Sequence, residues 1–137
     1  MGLILDSSML IAGERRGETV KQVIERVRAA CGDQECALSA ISILELTHGI
    51  YRAQTDSHRL RRKAFTDELI RDMIVHPVSL AIAQLAGRIE GEEAAKGVSI
   101  AVEDLIIGAT ALHMGFGVAT LNVRHFQLIP DLPVVTV

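Results

Sequence analysis

The chain has 137 residues and a formal net charge of -3, a length at which we expect one domain, residues 1–137, with an ordinary core. It contains no Trp, one Tyr and three Phe although 49% of it is hydrophobic, so the core must be built from aliphatic side chains. The negative charge excludes a general attraction to a phosphate backbone. Any binding of nucleic acid must therefore be local or assisted by a metal ion.

The two cysteines, Cys31 and Cys36, match neither a CxxC redox pair nor a set of zinc ligands. We expect them to be reduced, partly buried thiols. The chain does not open with a secretory signal pattern, and no apolar run reaches the roughly 20 residues that a membrane-spanning helix needs. These features predict a soluble, cytoplasmic protein.

The first half of the chain alternates between short apolar strands and amphipathic helices. A strand is predicted over residues 2–6, ending at Asp6, and Ser7 or Ser8 is the expected cap of a short helix that follows it. The spacing of apolar residues then predicts a helix after Thr19, a strand over 36–39 and a helix over 43–50 that carries Glu45.

The second half continues the alternation. Helices are predicted over 56–73, 80–93 and 102–113, and a helical turn over 123–128. Strands are predicted over 118–121 and 134–137, and an edge strand over 74–78 because Pro77 cannot donate to a sheet. Strands separated by helices indicate the α/β class, here a three-layer fold with a central parallel sheet of about five strands and helices on both faces.

Three acids and an amide are predicted to meet at one edge of this sheet. Asp6 ends the first strand and Asn122 follows the fourth, and the carboxyl ends of parallel strands converge on one crevice. Asp104 falls in the first turn of its helix, where the helix dipole favours an anion. Glu45, in the helix after the second strand, can reach the same edge.

Carboxylates gathered in a water-accessible crevice repel one another unless a hard cation lies between them. Oxygen ligands suit Mg²⁺ or Mn²⁺ better than Zn²⁺, and such an ion can activate water for attack on a phosphodiester. Each residue also has a simpler explanation. Asp6 alone is more often a helix cap, and Asp104 can serve the helix dipole, whereas Glu45 in an apolar stretch is harder to explain without a partner.

Four segments that carry these residues resemble the PIN-domain ribonucleases, in particular the VapC toxins of type II toxin–antitoxin pairs. They are Leu5-Asp6-Ser7-Ser8-Met9-Leu10-Ile11, the segment from Ser39 to Gly49 with Glu45-Leu46, Asp104-Leu-Ile-Ile-Gly-Ala-Thr-Ala-Leu112, and Thr120-Leu-Asn122-Val-Arg124-His125-Phe126. The resemblance implies a five-stranded parallel sheet and an endoribonuclease that hydrolyses RNA with metal-activated water. It also implies a homodimer and neutralisation by a small antitoxin whose tail enters the cleft.

The resemblance assigns roles residue by residue. Asp6, Glu45 and Asp104 become the Mg²⁺ or Mn²⁺ ligands, and Asn122 takes the place of a fourth acid in the catalytic set. Ser7 and Thr120 become residues that position ligands or substrate. Arg124 and His125 follow Asn122 by two and three residues, close enough to touch a phosphate and position substrate, with a helix cap or a place at the edge of the core as the alternative. Glu103 departs from the family, since relatives commonly carry a small or apolar residue there.

Several alternatives stay open at this level. A receiver domain has a similar sheet, but it needs paired acids after the first strand and a Lys after the last, which this chain lacks. A PIN domain that binds RNA or scaffolds a complex without cleaving RNA is the nearer alternative.

Two surfaces also have competing explanations. The basic cluster Arg59, Arg61, Arg62 and Lys63 is expected either to track RNA or to be a solvated helix face, and Leu44, Ile50 and Tyr51 are expected in the core or in a dimer or antitoxin groove.

Overall fold

Five short strands and seven helices make up the fold in the computed structural model, which describes all residues from Met1 to Val137. In chain order they are β1 (Gly2–Leu5), α1 (Ser7–Arg15), α2 (Val20–Cys31), β2 (Glu35–Ser39), α3 (Ala40–Tyr51), α4 (Asp56–Asp72), β3 (Ile74–His76), α5 (Leu80–Ala94), α6 (Val102–Met114), β4 (Gly117–Thr120), α7 (Val123–Phe126) and β5 (Val134–Thr136).

The strands form one parallel sheet in the order β3-β2-β1-β4-β5. The chain builds outward from β1 to β3 on one side and then crosses back to place β4 and β5 on the other side. The connections therefore diverge between β1 and β4, and such a switch point opens a crevice at the carboxyl ends of the strands. The predicted parallel sheet of about five strands is confirmed.

A separate apolar core lies on each face of the sheet, as the alternation of side chains along a strand requires. Ile4 of β1 packs with α5 and α6 on one face, whereas Leu3 and Leu5 pack with α1, α2 and α4 on the other. The predicted helices on both faces are confirmed. Helix α3 lies between the two cores, since its Ile41 packs against the first and Leu46 belongs to the second.

The start of α1 differs from the prediction. Asp6 is the N-cap residue, in an extended conformation, and its side chain makes no capping hydrogen bond. Neither Ser7 nor Ser8 is the cap, because the helix begins immediately after the strand and both serines lie inside it. Helix α1 also runs as far as Arg15. By contrast, Thr19 caps α2 as expected, in a reciprocal capping box with Gln22.

Close packing next to α6 fixes the segment that follows β4. Gly108 lies against Ile129, and a Cβ added at Gly108 would lie 2.5 Å from the Ile129 side chain. The absence of a side chain at Gly108 therefore lets the chain after α7 pack directly onto α6. Gly115 ends α6 in the left-handed conformation, with φ of 69°. None of the seven helices is both long and apolar enough to span a bilayer.

Candidate active site

Asp6 lies at the centre of the carboxyl edge of the sheet. Its backbone N–H donates to the carbonyl oxygen of Ala119 at 2.9 Å, which extends the ladder between β1 and β4 by one residue. The residue is only 4% exposed. A carboxylate this deeply buried needs hydrogen bonds or a cation.

Two hydroxyl groups donate to one oxygen of Asp6. Ser8 Oγ lies 2.7 Å from Asp6 Oδ2, and Thr120 Oγ1 lies 2.8 Å from the same atom. Thr120 Oγ1 also accepts from the backbone N–H of Asn122 at 2.8 Å, so its proton is directed at the carboxylate. Asp6 Oδ1 accepts no hydrogen bond and remains available to a ligand.

Glu45 projects from the second turn of α3 towards α1. Ser7 Oγ donates to Glu45 Oε1 at 2.7 Å, and no hydrogen bond reaches the other carboxylate oxygen. Burial raises the pKa of Glu45, the hydrogen bond from Ser7 opposes that rise, and the charges of Asp6, Glu103 and Asp104 add to it. The other acids are therefore close enough for their charges to act on Glu45.

Asp104 lies in the first turn of α6 with 17% of its side chain exposed. His125 of α7 places Nδ1 3.5 Å from Asp104 Oδ2. Burial raises the pKa of Asp104, the charge of Asp6 raises it further, and His125 acts in the opposite direction. The like charges of Asp6, Glu45 and Asp104 therefore act on one another, although the three residues are far apart in sequence.

The donor set fits a hard divalent cation. Each of the three carboxylates has one oxygen with a hydrogen-bond or ion-pair partner and one without, and burial together with mutual repulsion favours a bound positive charge. No group of three or more His, Cys, Asp or Glu side chains stands close enough together to hold a metal ion by itself. An incomplete protein shell suits Mg²⁺, which keeps several waters and commonly takes one or two carboxylates together with substrate phosphate.

The remaining predicted residues border this group. Thr120 is fully buried beside Asp6, and Ser7 is buried beside Glu45. Asn122 is exposed at the start of α7, where its side chain forms no capping hydrogen bond. Arg124 and Glu103 are exposed at the rim. The structure therefore brings the three acids, Ser7 and Thr120 together and leaves Asn122 and Arg124 facing solvent.

The sequence prediction assigned three residues in or near the site a different role from the one they have in the structure, or assigned them no role. Ser8 was expected only as a helix cap, yet its hydroxyl holds Asp6. His125 contacts an acid rather than only approaching a phosphate. Glu14 is buried, with Arg61 Nε 3.4 Å from its carboxylate. Of these, only Ser8 carried a usable signal, because a hydroxyl two residues after an acid can fold back onto it.

The basic cluster on α4 is largely paired within the chain. Arg59 meets Asp56 at 3.0 Å, Lys63 meets Asp67 at 2.7 Å and Arg61 meets Glu14, while Arg62 donates to the carbonyl oxygen of Gly49 at 2.7 Å. Three of the four cations are therefore paired with acids, and Arg62 has only an uncharged carbonyl partner. On α3, Leu44 and Tyr51 are exposed, whereas Ile50 is buried, so that of the two places expected for Ile50 the structure selects the core. The two cysteines are free and partly buried, as predicted.

Comparisons with known proteins agree with this geometry. The PIN domain family profile matches residues 3–131. Ribonuclease VapC1 of Rickettsia felis is 31% identical over the whole chain, which covers 97% of that relative. The chain belongs to the PIN-domain family, in its VapC group.

Two solved structures share the fold. VapBC2 from Rickettsia felis, bound to a DNA fragment from its promoter, superposes with a TM-score of 0.84 at 18% identity, covering 100% of this chain and 99% of that one. VapBC-5 of Mycobacterium tuberculosis, a member of the VapBC family of toxin-antitoxin systems, gives a TM-score of 0.75 at 26% identity, covering 99% and 97%.

Proposed function

We propose that this protein is the ribonuclease toxin of a toxin–antitoxin pair, an endoribonuclease that depends on Mg²⁺ or Mn²⁺. Its relative of 31% identity is named a ribonuclease. The observation that carries the proposal is the set of carboxylates at the switch point of the sheet, each with one oxygen that has no hydrogen-bond or ion-pair partner. Asp6, Glu45 and Asp104 would hold the cation.

A cation bound there would lower the pKa of a water molecule and neutralise charge on the phosphodiester. The chain's own residues orient the ligands. Ser8 and Thr120 hold Asp6 from one side so that Oδ1 faces away from the hydroxyl groups, and Ser7 does the same for Glu45. We assign Asn122 and Arg124, at the exposed rim, to the positioning of substrate, since an amide and a guanidinium can both donate to phosphate oxygens.

The antitoxin belongs to the proposal because the similar structures are toxin–antitoxin complexes. A small cleft of about 70 Å³ adjoins Glu45 between α1, α3 and α4, with Arg15 and Arg62 among its lining residues. The exposed side of α3 next to it presents Leu44 and Tyr51, which are 60% and 75% exposed. We propose that an antitoxin tail enters beside Glu45 and that the protein is a homodimer.

The decisive experiment is cleavage of a total RNA pool by purified, antitoxin-free protein in Mg²⁺, Mn²⁺ or EDTA. We expect discrete products that require the metal and disappear with Asp6→Asn. Asp33→Asn is the matched control, since Asp33 is an exposed acid of the α2–β2 connection, and it should cleave like the unaltered protein. Circular dichroism verifies that both variants fold.

Absence of cleavage by folded protein would contradict the proposal. It would favour the alternative of a catalytically silent PIN domain that binds RNA or scaffolds a complex. Cleavage that persists in EDTA, or in Asp6→Asn, would contradict the metal site while leaving a nuclease.

A further inference from the structure

A second cleft adjoins the acidic group at Asp104. It has a volume of about 190 Å³ and lies between the segment before α6, the first turn of α6, and α7 with the segment that follows it. Its lining residues are Ser99, Ile100, Ala101, Asp104, His125 and Leu128. Asp104 thus belongs to both the acidic group and this cleft, so a ligand seated here lies directly beside the proposed metal site.

The walls of the cleft are apolar, and an imidazole ring lies among them. Leu128 is 42% exposed although it is a large aliphatic residue, and Ile100 beneath it is buried. The His125 side chain is 63% exposed, and its Nδ1 approaches Asp104 Oδ2 at 3.5 Å. The ring is therefore held near the acid while most of its surface stays open to a ligand.

An exposed imidazole ring next to apolar side chains is suited to bind a flat, unsaturated ring. Proteins bind single-stranded RNA by stacking unpaired bases on aromatic side chains, among them His, and by apolar contact. The cleft is smaller than the roughly 300–1,000 Å³ of pockets that take drug-sized molecules, which favours a single ring system. Ser99 adds a hydroxyl group able to bond the edge of a base.

The cleft beside Glu45 has a different character. Glu14, Arg15 and Arg62 contribute charged groups to its lining, and its only aromatic residue, Phe65, is buried. That cleft offers no exposed ring for stacking. Of the two clefts that adjoin the acids, only the one at His125 has an exposed aromatic ring on which a base can stack.

We propose that the cleft formed by Ile100, His125 and Leu128 binds the base of the nucleotide next to the scissile phosphate, with that base stacked on the His125 ring. This inference rests on the proposed ribonuclease function, because it takes single-stranded RNA as the substrate. It assigns to His125 a positioning role through its ring, and to Leu128 the opposite wall.

The test measures binding without cleavage, in the Asp6→Asn background. The probe is a pool of random-sequence single-stranded RNA hexamers with 2-aminopurine at the third position, whose fluorescence falls when the base stacks. We expect quenching on binding and a Kd about 5- to 150-fold higher after His125→Ala, the effect of losing one stacked base. His58→Ala, at an exposed position on α4, is the matched control and should bind normally.

Two further variants separate stacking from the contact with Asp104. His125→Phe keeps a ring but loses the polar contact, and should retain the quenching and most of the affinity. His125→Gln keeps a polar group but loses the ring, and should behave like His125→Ala. Leu128→Ser should weaken binding to a smaller degree because it removes only the apolar wall.

The opposite order, in which His125→Gln binds normally and His125→Phe binds poorly, would overturn the inference. His125 would then act through its polar contact with Asp104 rather than by stacking. Failure of the folded protein to bind or quench the hexamers would also overturn it. These results are separable from the ribonuclease assay. If RNA is cleaved and His125→Ala changes neither cleavage nor binding, the protein is a ribonuclease without this base site. If quenching depends on the His125 ring but no RNA is cleaved, the base site is present and the ribonuclease proposal fails.

Discussion

Thr120, the last residue of β4, is hydrogen-bonded to Asp6, the acid that follows β1. Its hydroxyl donates to Asp6 Oδ2 at 2.8 Å and accepts the backbone N–H of Asn122 at 2.8 Å. One buried side chain therefore fixes both the orientation of an acid and the turn that leads to α7. This bridge links the stability of the β4–α7 turn to the proposed metal site.

Replacing Thr120 with Val keeps the shape of the side chain and removes the bridge. We expect apparent metal affinity to fall about 10- to 100-fold, as is typical when a group that orients a metal ligand is lost. Isothermal titration with Mn²⁺ and activity at varied metal concentration measure the effect. Thr120→Ser should restore affinity because it keeps the hydroxyl.

The control for that substitution is Thr110→Val. Thr110 is also fully buried, but it donates to the carbonyl oxygen of Ile106 within α6 rather than to an acid. Its loss should lower stability by about 1 kcal/mol, the usual net contribution of one hydrogen bond, and leave metal affinity unchanged. An equal loss of affinity in both variants would show that general destabilisation, not the bridge to Asp6, is responsible.

Ser7→Ala is expected to shift the pH dependence of activity. The Ser7 hydroxyl favours the ionised form of Glu45 and opposes the rise that burial gives to the pKa of Glu45. Removing the hydroxyl raises that pKa further, so the acidic limb of the pH–activity profile should move to higher pH. An unmoved limb, or one that moves down, would contradict the role of Ser7.

Metal ions should stabilise the protein more at neutral than at acidic pH. Burial raises the pKa of both Glu45 and Asp104, so the folded chain binds protons at these groups more tightly than the unfolded chain does. Their ionisation then lowers stability as the pH rises from the ordinary carboxyl value, about 4, through the raised folded values. A bound cation offsets this loss only where the acids are ionised.

Thermal unfolding with and without Mn²⁺ tests this dependence. At a hundredfold excess over Kd the ion should stabilise the protein by about 2.7 kcal/mol near pH 7.5, and the effect should vanish towards pH 4. Asp104→Asn should raise the Tm without metal and abolish the response to Mn²⁺. NaCl at matched ionic strength controls for screening, and an equal response to NaCl would argue against a specific site.

Arg61→Ala should destabilise the fold although Arg61 is largely exposed. The Glu14 side chain beside it is only 8% exposed, and Arg61 is its one ion-pair partner. Loss of that partner leaves a buried charge unpaired, at a cost of about 1–3 kcal/mol. Urea unfolding measures the change. Lys63→Ala is the control, since Lys63 and Asp67 are both exposed and such pairs contribute little.

Much of the fold could be predicted because it depends on local pattern. The buried run Leu3-Ile4-Leu5, the capped start of α2 at Thr19 and the glycine that ends α6 each follow from side-chain chemistry over a few residues. The position of Asp6 at the sheet edge followed as well, because parallel strands fix where their ends converge. Most edges of elements moved by one or two residues, which is the usual uncertainty of helix and strand ends, whereas α3 begins three residues before the predicted start and α1 runs on to Arg15.

The hydrogen bonds and ion pairs of the site were decided only by the tertiary structure. Ser7 and Glu45 are separated by 38 residues, and Asp6 and Thr120 by 114. The contacts of Gly108 with Ile129 and of His125 with Asp104 likewise join different elements of the fold. No local pattern records which hydroxyl faces which acid. The sequence by itself determined the class of the fold and the acids at its edge, because periodicity and strand ends are local properties. Packing between distant segments determined the hydrogen-bond partners and burial of those acids, and with them the raised pKa of Glu45 and Asp104.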